Sequence, residues 1–177
     1  MFAPIARNIV FVGFMGTGKS SLARIISRKT GCLLVDTDSE IGKLSGKTPT
    51  EIFQTDGEAH FRDLETNLLK SFAERSGLVI STGGGMVIRD ENRFLLSQLG
   101  LVVWLRAPEP IIFERVSRNQ RRPLLQTANP RDTLRQLFAL REPWYREVAD
   151  LEIDTGNTSL NGAVPTVLQA AGWSCKP

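Results

Sequence analysis

One segment constrains the fold more than any other: residues 13–20 read GFMGTGKS and follow an apolar run at residues 8–12. The segment matches G-x-x-x-x-G-K-[ST], the pattern of phosphate-binding loops. Its glycines let the main chain curl closely enough for several N–H groups to surround a phosphate, and the helix that follows adds the positive end of its dipole. A strand, a phosphate-binding loop and a helix are therefore predicted in this order.

The residue types in the loop predict its contacts with a nucleotide. Lys19 is expected to reach the outer phosphates, and the Ser20 hydroxyl is expected to bind Mg²⁺. The alternative is an ordinary glycine-rich turn. The context favours the phosphate site, because apolar residues recur at helical spacing after the loop and Gly31 is placed to end that helix.

Composition narrows the functional classes. The chain has 177 residues, 41% of them hydrophobic and 23% charged, which is typical of one compact globular domain. A net charge of only +3 argues against nucleic acid as a partner, and the apolar runs are too short to span a membrane. The two cysteines, Cys32 and Cys175, lack metal-site spacing, and no secretory signal is recognisable, so a cytoplasmic location is expected.

Two carboxylates follow the second predicted strand, at residues 32–35. Because ligands bind at the carboxyl ends of parallel strands, Asp36 and Asp38 are expected beside the phosphate-binding loop. There they would hold Mg²⁺, directly or through water, and engage a hydroxyl group. The alternative is that Asp38 caps the next helix, and capping by one residue of the pair is compatible with ligand contact.

A long helix is predicted from residue 56, with apolar residues at helical spacing. Arg62 and Glu65 lie three residues apart on it and are expected to pair along one flank of the apolar stripe. Taken alone, this spacing is that of a surface ion pair, which contributes little to stability.

The strand predicted at residues 78–81 leads into Gly83, Gly84 and Gly85. Three consecutive glycines cost backbone entropy on folding, so a specific need is expected behind them. Close approach of the main chain to a ligand, again at the end of a strand, is favoured over a plain flexible loop.

Basic residues cluster later in the chain. Four arginines, at positions 115, 118, 121 and 122, lie within eight residues that contain no acid. A solvated loop and a nucleic-acid patch are the alternatives, but no aromatic residue interleaves with the arginines. A flap that closes its guanidinium groups over phosphates is favoured, because arginine stabilises the charge of a transferring phosphoryl group.

One more arginine stands out on the helix predicted after Asn129-Pro130. Arg141 falls on an apolar stripe that runs from Leu134 to Val148. Burying a cation without a partner is costly, so Arg141 is expected to meet an anion, either a protein carboxylate or a substrate carboxylate. A last strand at residues 151–154 and a closing helix at residues 164–171 complete the predicted elements.

Together these segments resemble shikimate kinases, whose motifs occur here in the same order and spacing. They are the phosphate-binding loop, Asp36-Thr37-Asp38, Phe53-x-x-Asp56-Gly57-Glu58-x-x-Phe61-Arg62-x-x-Glu65, Gly83-Gly84-Gly85, Arg122-Pro123-Leu124-Leu125 and Arg141-x-x-x-Tyr145. The loop at residues 155–158 departs from the pattern, since it lacks the arginine and proline that some relatives carry there.

The resemblance implies an α/β fold: a three-layer α/β/α P-loop domain with a five-stranded parallel sheet in the order 2-3-1-4-5, related to nucleoside monophosphate kinases. It implies one kinase domain over residues 1–177, with a substrate-binding region over about 37–61 and a lid over about 115–127. The implied reaction is transfer of the ATP γ-phosphoryl group to the 3-hydroxyl of shikimate, in the pathway to chorismate and the aromatic amino acids. A monomer that uses Mg²⁺ is expected.

The resemblance also implies a role for each site residue. Asp38 would bind the shikimate hydroxyls, Arg62 and Arg141 would clamp the shikimate carboxylate, and the main chain of residues 83–85 (Gly83, Gly84, Gly85) would contact the ring. Asp38 would either accept the hydroxyl proton or only orient that oxygen, with Lys19 and Arg122 as the other catalytic residues.

On the nucleotide side, Ser20, with Asp36 through water, would hold Mg²⁺. Arg115 would stack on adenine, and Arg122 would move in with the lid to contact the phosphates. The remaining nucleotide contacts would come from the loop and the start of its helix, through Gly16, Thr17, Gly18, Lys19 and Ser21.

Two other functions remain open on the residues alone. Another small-molecule P-loop kinase, acting on gluconate or a nucleoside monophosphate, would share many of these features. A nucleotide-binding regulatory module without turnover would be expected to have lost Lys19, Asp38 or Arg122, and all three are present.

Overall fold

A computed structural model describes residues 7–117 and 129–174 of the chain. Its centre is one parallel sheet with the strand order β2-β3-β1-β4-β5, as the sequence predicted. The strands are β1 (Asn8–Val12), β2 (Leu33–Asp36), β3 (Leu78–Ser81), β4 (Gly100–Arg106) and β5 (Leu151–Asp154).

Helices cover both faces of the sheet. Side chains of a strand alternate between the two faces, so β1 directs Ile9 and Phe11 toward one layer and Val10 and Val12 toward the other. The helices are α1 (Lys19–Thr30), α2 (Thr37–Ser45), α3 (Pro49–Thr55), α4 (Gly57–Lys70), α5 (Asp90–Leu99), α6 (Glu109–Ser117), α7 (Pro130–Val148) and α8 (Leu160–Ala171).

The two helical layers are unequal. Apolar residues of α1 and α8 pack on the first face of the sheet. The second face is covered by buried residues from α2 to α7, which form the larger core cluster. This arrangement gives the predicted three layers. Among the described residues, no helix has both the length and the apolar composition needed to cross a membrane.

Strand register brings three loops together at the carboxyl edge of the sheet. Ser81 of β3 is the partner of Phe11 on one side and of Asp36 on the other. The segments that follow β1, β2 and β3 therefore leave the sheet side by side. These segments are the phosphate-binding loop, the turn with the two aspartates and the triple-glycine loop.

Several elements differ from the sequence expectations. β2 begins and ends one residue later than predicted, and no element was predicted at α5, which has no side-chain cap at its start. The closing helix begins at Leu160 rather than residue 164, because the Ser159 hydroxyl accepts a hydrogen bond from the Gly162 N–H and caps it.

Candidate active site

The phosphate-binding loop forms the floor of a cavity of about 510 Å³. Its first glycine, Gly13, has φ of +138°, and a Cβ there would overlap the Leu105 carbonyl oxygen of β4. Gly18 precedes α1 with φ of +96° and supplies no side-chain cap. The first N–H groups of α1 are thus left for a ligand, and a helix N-terminus favours an anion.

Of the predicted nucleotide residues that the structure describes, all but one line this cavity. Thr17 does not line the cavity, because it is fully buried and its Oγ1 donates to the Phe14 carbonyl at 2.7 Å. The others line it: Gly16, Gly18, Lys19, Ser20, Ser21 and Arg115. The Lys19 ammonium donates to the carbonyl oxygens of Gly13 and Phe14, at 2.7 and 2.9 Å, which holds it against the loop.

Oxygen atoms gather beside the start of α1. The Ser20 hydroxyl donates to Asp36 Oδ2 at 3.2 Å and lies 3.1 Å from the Ser81 hydroxyl. Asp36 Oδ1 accepts from the Ser39 N–H at 3.1 Å, so the residue that caps α2 is Asp36, and Asp38 is not its cap. Both carboxylates line the cavity. Hydroxyl and carboxylate oxygens are the ligands that Mg²⁺ takes in nucleotide sites, so these residues fit that ion.

A polar network holds Arg115, whose side chain lines this cavity. The Arg115 guanidinium donates to the Thr155 carbonyl at 2.8 Å, to the Thr155 hydroxyl at 3.2 Å and to the Gly16 carbonyl at 3.3 Å. The Thr155 hydroxyl in turn donates to the Thr17 carbonyl at 2.9 Å. Neither Thr155 nor Leu160 was predicted from the sequence, in which the loop at residues 155–158 stood out only because it lacks an arginine and a proline. Of the two, Leu160 lines the cavity.

A second cavity, of about 630 Å³, brings together three of the residues predicted to bind the acceptor. Asp38, Arg62 and Arg141 all line it, and its other walls are mostly apolar. Met15 and Asp38 line both cavities, so the two adjoin at these side chains. The apolar wall is a feature that the sequence analysis did not identify; it includes Phe53, Leu137, Leu140 and Trp144.

Each residue of the triple-glycine loop leaves room for a different neighbour. A Cβ at Gly83 would lie 2.5 Å from Asp38 Oδ1, and one at Gly85 would lie 2.7 Å from Arg62 Nη2 and 2.8 Å from its Cζ. Gly84 lies against the phosphate-binding loop. Gly83 and Gly84 line the nucleotide cavity, whereas Gly85 lines neither cavity and packs behind Arg62. The loop therefore sets the positions of two site side chains as well as its own main chain.

The Arg62–Glu65 pair is buried, so the interpretation as a surface ion pair is wrong. Their side chains are 9% and 1% exposed, and Arg62 Nη1 lies 2.6 Å from Glu65 Oε2. Arg62 also donates from Nε and Nη2 to Glu58. Burial raises the pKa of Glu65 to about 7, and the charge of Arg62 opposes that rise. Burial lowers the pKa of Arg62, but the Glu65 and Glu58 carboxylates outweigh it and raise that pKa.

Arg141 lies in the same cavity with part of its hydrogen-bonding capacity unused. It is 6% exposed, its Nη1 donates to the Gly84 carbonyl at 3.3 Å, and its guanidinium lies over the Phe14 ring. Its buried Nε has no hydrogen-bond partner among the described residues. No carboxylate of residues 7–117 or 129–174 pairs with it at ion-pair distance, so of the two predicted partners a ligand anion is favoured.

Three of the four clustered arginines, including Arg122, fall in residues 118–128, outside the described residues. Their assignment to a lid therefore stays a prediction.

The sheet order, the loop after β1 and the second cavity beside it define a P-loop kinase related to nucleoside monophosphate kinases. A family model described as shikimate kinase matches residues 15–171. The chain belongs to the shikimate kinase family.

Individual relatives agree over nearly the full chain. A shikimate kinase from Burkholderia lata is 42% identical over 96% of this chain and 94% of its own length. One from Thermodesulfovibrio yellowstonii is 45% identical over 84% of this chain and 86% of its own length. A solved structure of shikimate kinase from Acinetobacter baumannii in complex with shikimate is 39% identical, with a TM-score of 0.86, and the match covers 93% of this chain and 92% of that chain.

Proposed function

We propose that this chain transfers the γ-phosphoryl group of ATP to the 3-hydroxyl of shikimate. The observation that carries the proposal is the junction of the two cavities at Asp38, with Lys19 on one side and the two arginines, Arg62 and Arg141, on the other. A nucleotide and a small hydroxy acid bound in the two cavities would meet at that carboxylate.

On the acceptor side, two guanidinium groups face one cavity. Forked contacts from Arg62 and Arg141 suit a planar carboxylate, and they would fix the ring relative to the γ-phosphate. Glu65 holds Arg62 in place from behind, and Asp38 and the main chain of Gly83 and Gly84 would contact the ring hydroxyls. The A. baumannii relative was solved with shikimate bound, which supports this ligand.

On the nucleotide side, the loop and the start of α1 would hold the phosphates of ATP. Lys19 would contact the outer phosphates, Arg115 would pack against adenine, and Ser20 with Asp36 would hold Mg²⁺. The ion would neutralise charge on the β- and γ-phosphate oxygens. Arg122 would contact the same phosphates when the lid closes.

The chemical step would be in-line transfer through a loose transition state, so positioning and charge neutralisation carry most of the rate. Little proton transfer is needed early in such a step. Asp38 would therefore act mainly by orienting the acceptor hydroxyl, and accepting its proton would be the lesser role. The protein would work as a cytoplasmic monomer with small-molecule substrates only.

An acceptor panel in a coupled ADP-release assay tests the proposal. ADP release should depend on shikimate and should not occur with gluconate or AMP, and ³¹P NMR should show the new phosphate ester on the 3-hydroxyl. Turnover with gluconate or AMP would favour a different P-loop kinase. Nucleotide binding without ADP release for any acceptor would favour a regulatory module.

Two substitutions in α7 test whether Arg141 binds the carboxylate of the acceptor. Arg141→Ala should lower kcat/KM for shikimate by roughly 10- to 100-fold, the effect of losing hydrogen bonds to a charged group. Arg146→Ala is the matched control, because Arg146 is exposed on α7 and pairs with Glu142 at the surface. Equal losses in the two variants would contradict the carboxylate clamp.

A further inference from the structure

The chain has a single tyrosine, Tyr145, and its hydroxyl makes a hydrogen bond to which the proposed mechanism gives no role. Its side chain is fully buried on α7 and stacks on Trp104, with ring centroids 6.2 Å apart. Its hydroxyl donates to the Gly84 carbonyl at 2.5 Å. Burial raises the pKa of the phenol, so the hydroxyl keeps its proton and stays a donor.

The Gly84 carbonyl accepts from two side chains of the same helix. Arg141, one helical turn before Tyr145, donates to it at 3.3 Å, so the tyrosine makes the shorter bond. On the other side of the loop, the Gly83 N–H donates to Thr37 Oγ1 at 3.0 Å. The loop is thus fastened between α2 and α7.

The carbonyl direction also determines where the next amide points. Every described peptide bond is trans, and in a planar trans peptide the N–H points opposite to the C=O. When Tyr145 holds the Gly84 oxygen, the Gly85 N–H is held on the opposite side. Gly84 lines the nucleotide cavity, which adjoins the acceptor cavity at Met15 and Asp38, so the orientation of this peptide sets what its main chain offers to a ring bound where the two cavities meet.

We propose that Tyr145 is a positioning residue for the acceptor: its hydroxyl orients the Gly84–Gly85 peptide and keeps Gly84 at a set distance from Arg141. This inference rests on the proposed function. Removal of the hydroxyl leaves the carbonyl with the longer bond from Arg141 alone, so the orientation of the peptide and its distance from the guanidinium are held less firmly. Acceptor binding should then weaken while nucleotide binding is retained.

Tyr145→Phe separates this role from simple packing, because the ring and its stack on Trp104 remain. The matched control is Thr30→Val. Thr30 is also buried, and its hydroxyl donates to the Ile26 carbonyl at 2.9 Å and accepts from the Cys32 N–H at 3.2 Å, at the end of α1 and away from both cavities. Both variants lose one buried hydroxyl, so the melting temperature should fall in both, and by at least as much in Thr30→Val, which loses two hydrogen bonds.

Steady-state kinetics should show a split between the substrates. In Tyr145→Phe, KM for shikimate should rise roughly 3- to 10-fold, the effect of one hydrogen bond, while KM for ATP stays within about twofold. In Thr30→Val both values should match the wild type. An unchanged KM for shikimate in Tyr145→Phe, or an equal rise in both KM values, would overturn the inference. Absence of shikimate-dependent turnover in the wild type would instead overturn the proposed function.

A second measurement keeps the Tyr145 hydroxyl. Growth on 3-fluorotyrosine labels the single tyrosine and gives one ¹⁹F resonance. Addition of shikimate should shift that resonance by more than its line width, whereas a nonhydrolysable ATP analogue alone should shift it much less. A resonance that does not respond to saturating shikimate would also overturn the inference.

Discussion

Replacement of Gly85 by alanine tests the site most directly, because the added methyl group would meet the Arg62 guanidinium. The backbone at Gly85 has φ of −97° and ψ of −1°, a conformation open to alanine, so no backbone strain is introduced. The new Cβ would lie 2.7 Å from Nη2 and 2.8 Å from Cζ of Arg62. Arg62 has to move, because these distances are too short for a Cβ contact, and its bonds to Glu65 and Glu58 resist that movement.

The size of the effect follows from these distances. Ordinary carbon contacts begin near 3.4 Å, and Arg62 Nη1 lies closer to the new Cβ than either of these atoms, so the guanidinium has to retreat by roughly 1 Å. A displacement of about 1 Å in a positioning group costs on the order of 100-fold in rate. We expect kcat/KM for shikimate to fall roughly 30- to 100-fold in Gly85→Ala, with KM for ATP unchanged. Exchange of glycine for alanine at a compatible backbone position stabilises by about 0.4–1 kcal/mol, which offsets part of the strain on the Arg62–Glu65 pair.

The assay is steady-state kinetics with either substrate varied, together with a melting curve. Gly42→Ala is the matched control, because a Cβ at Gly42 in α2 meets only the Lys47 carbonyl oxygen, at 3.4 Å. It should keep kcat/KM within about twofold of the wild type. A folded Gly85→Ala protein with kcat/KM for shikimate within threefold of the wild type would refute the placement of Arg62 in the acceptor site.

Three further predictions concern the buried carboxyl and the nucleotide end of the site. Shikimate binding at pH 7 should be accompanied by proton uptake. Burial has already raised the pKa of Glu65 to about 7, and a second carboxylate beside Arg62 opposes ionisation of Glu65 further. Calorimetry in buffers of different ionisation enthalpy measures the uptake, and Glu65→Gln should abolish it. In the free protein this raised pKa gives stability that is present below pH 4.5 and lost as pH rises through about 7, so the melting temperature of Glu65→Gln should change less over that window. Thr155→Val removes the hydroxyl that links Arg115 to the Thr17 carbonyl. KM for ATP should therefore rise about fivefold, with KM for shikimate unchanged. An unchanged KM for ATP would show that this network does not support nucleotide binding.

Local features of the site were predictable from the sequence, because they depend on short-range rules. The phosphate-binding loop, the start of α1 at Lys19 and its end at Gly31 follow from glycine placement and helical spacing, and the structure confirms them. The strand order was predicted through the family resemblance, and it too is confirmed. Arg141 was identified as a residue in need of an anion because a cation on an apolar stripe is costly to bury.

Long-range packing decided the rest. No spacing rule distinguishes a buried Arg62–Glu65 pair from an exposed one, since burial depends on what packs against α4 from elsewhere in the chain. The link between Arg115 and Thr155 joins residues 40 positions apart, and the bond from Tyr145 to Gly84 spans 61. Likewise, three glycines in a row indicate a close approach, but only the folded chain shows that Asp38 and Arg62 are the side chains that need the space.

Sequence alone therefore determined which chemical groups the site contains: a phosphate-binding loop, two carboxylates and a set of arginines. The tertiary structure decided which of these groups meet, because parallel pairing of β1, β2 and β3 brings their carboxyl ends to one edge and α4 and α7 then supply Arg62 and Arg141 to the same cavity. The physical reason is that helix and turn preferences act over a few residues, whereas burial and charge pairing are set by contacts between distant parts of the chain.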